Sequence, residues 1–268
     1  MPTPSMIPSI ASIDATIGRD AAAHLDLLWR SLMTGEGAIA TERYFRLVTG
    51  EPHPLGNLAI LREAGDPHVV DEAIAPLLGL PVPAFVISLA DPDDAIVEQL
   101  TTKGLLQIPP LPAMAIDLSS LAATRIPDGC EFFRVSSEDD AAAWGDALAE
   151  GFPMPRGLAR RLSPETQAVD AAADAPVQFF GIRSSGSVAS IAMLYLANGL
   201  AGIYSVATVP AARKRGLAAH VTAEALRVAR GLGYGVGVLQ SSPEAHGIYS
   251  ALGFQEVGSA ALFVRMPG

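Results

Sequence analysis

The segment Thr208-Val209-Pro210-Ala211-Ala212-Arg213-Lys214-Arg215-Gly216-Leu217-Ala218 joins two regular elements of the 268-residue chain. Residues 202–207 before it are apolar and typical of a buried strand. Residues 213–230 are predicted to form a long helix. One face of that helix carries Leu217, Val221, Ala225 and Val228. A strand, a short loop and a helix with Gly and Ala in its first turn form the pattern that decides the fold.

The loop has the chemistry of an anion site. Small side chains at Gly216 and Ala218 allow a ligand to approach the unpaired N–H groups of the first helical turn, where the helix dipole is positive. Arg213, Lys214 and Arg215 add three positive charges to a chain whose net charge is −10. A diphosphate fits such a site, although these residues alone also permit an ordinary basic helix start.

Two motifs resemble the GNAT superfamily of acyl-CoA N-acyltransferases. Arg213, Gly216 and Ala218 fill its Arg/Gln-x-x-Gly-x-Gly/Ala signature, and Pro210 stands where the family usually has a proline. Residues 248–254, Ile-Tyr-Ser-Ala-Leu-Gly-Phe, are similar to the family's later helix and its Leu-Gly-Phe end. The resemblance implies acetyl-CoA as the acyl donor and direct transfer of its acetyl group to a primary amine of a small molecule or a peptide.

The resemblance also implies a role for each part of the site. The splayed strands at residues 202–207 and 236–239 are expected to admit the acyl chain, and Tyr249 is expected to act as a general acid at the CoA sulfur. The pantetheine arm is expected to pair with the backbone of Val206, Ala207 and Thr208. The remaining expected cofactor-binding residues, mainly for the pyrophosphate, are Arg213, Lys214, Arg215, Gly216, Leu217, Ala218 and Ala219.

The proton acceptor is not evident from the sequence. The family often keeps a Glu in one of the two splayed strands, and neither strand contains one here. The available relays are Tyr204, Ser205, Gln240 and the terminal carboxylate of Gly268; otherwise the base is water or the substrate is a weakly basic amine. A non-catalytic acyl-CoA-binding sensor or regulatory protein is therefore the alternative function.

The chain is predicted to be a mixed α/β protein with two tandem GNAT-like domains. The turn-rich residues 121–129 suggest a boundary that gives a degenerate structural domain at 1–126 and a catalytic domain at 127–268. Residues 103–108 and 252–257 are similar: in each, a predicted helix ends at a Gly and a strand follows. This similarity suggests a faint repeat. Because the signature is missing from residues 1–129, one acetyl-CoA is expected per chain.

Several local predictions concern element limits. Asp91 is expected to cap a helix over residues 94–102, and a strand is expected at residues 112–117. Residues 254–257 and 261–265 are predicted as two final strands. His220 and Glu224 lie one helical turn apart, and we interpret them as a packed or solvated pair rather than part of a metal site.

Composition limits the function classes. The net charge of −10 argues against neutralising the phosphate backbone of a nucleic acid. The single cysteine, Cys130, excludes an internal disulfide and fits the reducing cytoplasm. The uncharged residues 184–212 are interrupted by turn residues, so they predict strands of a soluble protein rather than a membrane span. The sequence leaves the oligomeric state open.

Overall fold

The computed structural model describes residues 13–63, 65–166 and 172–267. Gly268, one of the proton relays considered above, lies outside them. The helices are α1 (Ile17–Leu32), α2 (Pro67–Leu78), α3 (Asp94–Thr102), α4 (Glu138–Gly151), α5 (Arg156–Arg161), α6 (Leu217–Gly231) and α7 (His246–Leu252). The strands are β1 (Ala38–Ala40), β2 (Tyr44–Val48), β3 (Asn57–Leu61), β4 (Ala84–Ser88), β5 (Leu106–Asp117), β6 (Cys130–Arg134), β7 (Val177–Ser184), β8 (Ser187–Ala197), β9 (Leu200–Thr208), β10 (Val236–Gln240) and β11 (Gln255–Arg265).

All described strands belong to one mixed sheet, in the order β1-β2-β3-β4-β11-β5-β10-β9-β8-β7-β6. The pairing pattern is the same on both sides of the central β11–β5 pair. From β11 through β4, β3 and β2 to β1, the pairings are antiparallel, parallel, antiparallel and antiparallel. From β5 through β10, β9 and β8 to β7, the pairings are again antiparallel, parallel, antiparallel and antiparallel. The mixed α/β fold is therefore confirmed, while the domain limits at 126 and 127 stay a prediction.

The faint sequence repeat corresponds to this symmetry. Gly104 ends α3 and Gly253 ends α7, and both adopt the left-handed conformation with φ of +82° and +105°. Each glycine leads into one strand of the central pair, β5 or β11. Strand β5 of the first half lies between β10 and β11 of the second half, and β11 lies between β4 and β5 of the first. The halves thus exchange their last strands.

Helices cover both faces of the sheet. On one, the α1 face, α1, α4 and α5 pack against a cluster that contains Trp29, Trp144 and Phe179. On the other, the α6 face, α6 and α7 cover the second half of the sheet, around Leu226 and Phe254. Helices α2 and α3 cover the first half on that same face. Helix α1 crosses the middle of the sheet and therefore reaches strands of both halves.

Some predicted limits were wrong. The N-cap of α3 is Asp93, whose carboxylate accepts from the N–H of Ile96 at 2.9 Å, rather than Asp91. Strand β5 starts at Leu106, six residues early, and residues 255–265 form one strand instead of two. Helix α6 starts at Leu217 rather than at residue 213, because the loop before it contains left-handed residues. The sequence analysis also missed β1 and β2.

The uncharged stretch at residues 184–212 contains β8 and β9, which continue the antiparallel run that begins with β7, so it forms strands as predicted. Within the described ranges, no helix has both the length and the apolar character needed to cross a membrane.

Candidate functional site

Strands β9 and β10 separate part of the way along their length. They pair in parallel only at Val236–Val238, and the last matched pair is Gly202 with Val238. Beyond that point β9 contains an irregularity, where Ser205 has a φ of +50° and the register against β8 shifts. We call the resulting space between the two strands the gap.

The gap leaves one edge of β9 without a strand neighbour. Ala207 and Thr208 pair with Ile191 and Ser190 of β8 on one side, and no strand of the described chain pairs with them on the other. On that side the backbone of β9 is open to an extended ligand, apart from the Thr208 carbonyl, which accepts from Arg213 at 3.2 Å. The Ala207 carbonyl accepts from Ser190 Oγ of β8 at 3.1 Å. The expected pantetheine contacts Val206, Ala207 and Thr208 all lie on this edge.

The first turn of α6 is also open. The N-cap is Gly216, with a φ of +75°, and no side chain caps the helix. The N–H of His220 is the first to make the helical bond, to the carbonyl of Gly216 at 3.1 Å. The N–H groups of residues 216–219 have no partner among the described residues, which gives the anion-binding geometry of an uncapped helix start. Gly216, Leu217, Ala218 and Ala219 thus lie together as expected.

The three cations before α6 differ in their contacts. The guanidinium of Arg213 donates to the carbonyls of Thr208 at 3.2 Å and Gly151 at 3.0 Å, which fixes the end of β9 to the end of α4. Arg215 donates to Ser184 Oγ at 3.1 Å and approaches Cys130 Sγ at 3.6 Å. Lys214, with a φ of +61°, has no side-chain partner within the described ranges. Its ammonium is exposed and therefore open to solvent.

Tyr249 lies on α7, on the α6 face. Its ring packs edge-on against Phe254 with 5.9 Å between centroids, in the cluster that also contains Ile203 of β9 and Leu239 of β10. The side chain is buried, and burial raises the pKa of its hydroxyl to about 12. That hydroxyl has no hydrogen-bond partner in the described part of the chain. Tyr249 therefore carries a protonated donor beside the two strands that border the gap.

On the opposite face, the structure adds a residue that the sequence analysis missed. His24 of α1 is completely buried against Gly202, and a Cβ at Gly202 would collide with Cε1 of the imidazole. His24 Nδ1 lies 2.8 Å from the hydroxyl of Tyr204. His24 Nε2 has no partner among the described residues. No motif marks His24, because α1 reaches β9 only through the fold.

Burial of His24 predicts a pH-dependent stability. Desolvation lowers the pKa of His24 from 6.5 to about 4, so the unfolded chain takes up a proton at a pH where the folded chain does not. The folded state keeps its full stability above pH 6.5, where His24 is neutral in both states, and loses stability as the pH falls towards 4. Between pH 7 and 4.5, protonation of His24 in the unfolded chain should lower the free energy of unfolding by about 2 kcal/mol. Urea unfolding of wild type and His24→Gln should show this difference, and equal pH dependence would contradict it.

Other candidates have structural contacts. Glu224 forms an ion pair with Arg227, and His220 Nδ1 has no hydrogen-bond partner among the described residues. His246 approaches Glu256 at 3.4 Å at the surface. Among the described residues, no three His, Cys, Asp or Glu side chains come together as possible metal ligands.

The corresponding place in the first half has different chemistry. Strands β3 and β4 stay paired from Leu58 to Leu61, so no gap forms between them. Helix α2 begins with Pro67, and the Asp66 carboxylate accepts from the N–H of His68 at 3.0 Å. A hydrogen bond from Arg43 lowers the pKa of Asp66 and keeps it charged. The start of α2 therefore already carries an anion.

Comparison with known proteins identifies the class to which this site belongs. The acetyltransferase (GNAT) family model matches residues 143–254. The matched region begins within α4 and ends just after α7, so it includes the gap, the open start of α6 and Tyr249. Residues 143–254 are therefore a domain of the GNAT acetyltransferase family. No curated protein sequence matches the chain significantly.

Solved structures with this architecture extend over nearly the whole chain. A GCN5-related N-acetyltransferase from Kribbella flavida is 20% identical, with a TM-score of 0.65 and 97% of each chain covered. One from Sphaerobacter thermophilus is 17% identical, with a TM-score of 0.62, covering 99% of this chain and 94% of the other. A tandem GNAT protein from the clavulanic acid biosynthesis pathway is 12% identical, with a TM-score of 0.52 and 98% of each chain covered. At these identities the likeness concerns the fold.

Proposed function

We propose that the protein is an N-acetyltransferase that moves an acetyl group from acetyl-CoA directly to a primary amine of a small molecule or a peptide. The observation that carries the proposal is the continuity between the open edge of β9 and the uncapped start of α6. An extended arm that ends in a diphosphate needs this combination, because its amide groups require an unpaired strand edge and its phosphates require free N–H groups.

In the proposed arrangement, Val206, Ala207 and Thr208 pair with the pantetheine arm. The backbone N–H groups at residues 214–219, together with the Lys214 ammonium, hold the pyrophosphate. Arg213 acts indirectly, because its contacts with Thr208 and Gly151 fix the corner between β9 and the loop. Arg215 orients the outer side of the same loop through Ser184.

The proposed reaction is an attack by the neutral amine on the thioester carbonyl. The N–C bond forms, the C–S bond breaks, and CoA leaves as a thiolate that then takes a proton from water to become the thiol. An alkylamine with a pKa near 10.4 is neutral about once in a few thousand molecules at pH 7, so deprotonation contributes substantially to the barrier. Tyr249 stabilises the developing negative charge on sulfur from the α6 face, and we assign the final proton acceptor to water.

The acceptor is proposed to bind on the α1 face. A cavity of about 390 Å³ lies there between the two halves, with walls from α1, β5 and β11. Gln240, two residues beyond the point where the gap opens, also lines this cavity. Its amide donates to the carbonyl of Ala21 at 3.1 Å, while its Oε1 has no partner in the described chain and can accept from an amine. The first half would thus form a wall of the acceptor site.

We expect one acetyl-CoA per chain. The first half offers neither a gap nor a free helix start, and the charge of Asp66 would repel a phosphate. Titration calorimetry of the full chain should give a stoichiometry near one. A second, equivalent site per chain would contradict the assignment of a structural role to the first half.

Turnover decides between the enzyme and the alternative, a non-catalytic acyl-CoA sensor. That alternative is favoured by one observation, since β9 and β10 carry no carboxylate and His24 is a weak base. CoA release should be measured with a panel of alkyl, aryl and peptide amines, beside calorimetry of CoA binding. Release with any of these amines supports the enzyme. Tight binding without release supports the sensor, and absence of binding would overturn both functions.

A further inference from the structure

His24 closes the inner end of the gap on the α1 face. It lies over Gly202, which is the last residue of β9 that pairs with β10. Gly202 has no side chain, and the imidazole, together with the edge of the Tyr204 ring, occupies the space that a side chain would need. A group that entered the gap from the α6 face, between the two strands, would therefore meet the His24 ring at the place where the strands come together.

Several contacts hold this ring in place. The Tyr204 ring lies parallel to it at a centroid distance of 5.9 Å, and its hydroxyl is 2.8 Å from Nδ1. The Tyr195 ring meets it edge-on at 5.0 Å and is itself fixed by a hydrogen bond of 2.8 Å to Ser31 Oγ. The ring is completely buried. A side chain held on two sides in a packed core cannot move aside without a cost in packing.

The chemistry of the ring suits an apolar neighbour. Burial lowers the pKa of His24 to about 4, so the imidazole is uncharged at neutral pH. An acyl chain against it would not have to desolvate an ion. The ring therefore presents an uncharged aromatic surface at the end of a narrow space between two strands.

We propose that His24, a residue of the first half, forms the floor of the acyl slot in the second half and restricts the donor to short acyl groups, acetyl and propionyl. The inference rests on the proposed function, because it places the acyl group of an acyl-CoA in the gap. It gives α1 a role in donor selection. His24 is a specificity-determining residue here and takes no proton in the reaction.

The test measures the affinity of the full chain for CoA, acetyl-CoA, propionyl-CoA, butyryl-CoA and hexanoyl-CoA by calorimetry, without an amine acceptor. In wild type, the affinity for butyryl-CoA should be clearly lower than the affinity for propionyl-CoA. In His24→Ala the missing ring opens the slot, and each additional buried methylene should improve binding about four-fold. The affinity for butyryl-CoA relative to acetyl-CoA should thus increase on the order of ten-fold.

Leu28→Ala is the matched control. Leu28 lies one turn further along α1, is 5% exposed and packs in the cluster that contains Tyr195 and Tyr204, whereas the atoms nearest to a Cβ at Gly202 belong to His24 and Tyr204. It should lose stability and keep the wild-type order of donors. An unchanged ranking of acyl-CoA affinities in His24→Ala would overturn the inference. Equal affinity of the wild type for acetyl-CoA and hexanoyl-CoA would also overturn it, and that measurement does not depend on a variant that folds. Failure of CoA itself to bind would instead overturn the proposed function, and the inference with it.

Discussion

Gly216→Glu should reduce acetyl-CoA affinity by at least about 100-fold, because it places bulk and negative charge among the free N–H groups at the start of α6. Each hydrogen bond to a phosphate contributes roughly 1.5–3 kcal/mol, and the variant should lose at least two. The fold should survive, since a Cβ at Gly216 meets only His220, at 3.8 Å. Titration calorimetry measures the effect.

The control for this variant is Gly104→Glu. Gly104 also has a positive φ, of +82°, and its Cβ would enter open space at the end of α3. Both variants incur the cost of a left-handed non-glycine residue, about 1–2 kcal/mol, so their stabilities should fall alike. Only Gly216→Glu should lose its affinity for acetyl-CoA. Binding within a few-fold of wild type would place the phosphates elsewhere.

Tyr249→Phe should lower kcat by roughly 10²- to 10⁴-fold and leave acetyl-CoA affinity nearly unchanged. With a pKa of about 12, full proton transfer from Tyr249 to a thiolate of pKa near 8.5 would be uphill by roughly 5 kcal/mol. The hydroxyl therefore acts through a hydrogen bond that strengthens as charge develops on sulfur. Steady-state kinetics with the best amine acceptor measure the loss.

Tyr234→Phe is the appropriate comparison, since Tyr234 is a second buried tyrosine in the same cluster. It should keep wild-type kcat. Because the Tyr249 hydroxyl has no partner in the described protein, its removal should also leave the free energy of unfolding nearly unchanged. A Tyr249→Phe variant that retains more than about half of wild-type kcat would make Tyr249 a packing residue and would favour the sensor.

The part of the site that could be predicted from the sequence is the part made by neighbouring residues. The loop at 213–216 and the first turn of α6 are contiguous, so their glycine, charges and helix periodicity occur together in one segment. His24 could not be found in this way. It lies 180 residues before its partner Tyr204, and only the passage of α1 across the centre of the sheet brings them together.

The errors in the predicted fold have similar causes. Pro109, Pro110 and Pro112 argue against a central strand, because each lacks a donor for the ladder. They lie in the first part of β5, before its pairing with β10 begins at Ala113, and next to register shifts against β11, so the missing donors are tolerated. Strand β1 has three residues, too few for a periodic pattern, and depends on its pairing with β2.

The exchange of β5 and β11 has a consequence for folding during synthesis. When the first 126 residues have emerged from the ribosome, β4 and β5 still lack the strand that lies between them, because Gln255–Arg265 follows all the other described strands in the chain. The first half must therefore wait with one unpaired edge on β4 and with β5 unpaired on both sides, since its other neighbour, β10, is also made later. Such edges are sites of mispairing with other chains. Contacts of such high sequence separation also slow the search for the native state. The sheet should then be completed in one late step, in which β11 enters its middle and unites both halves.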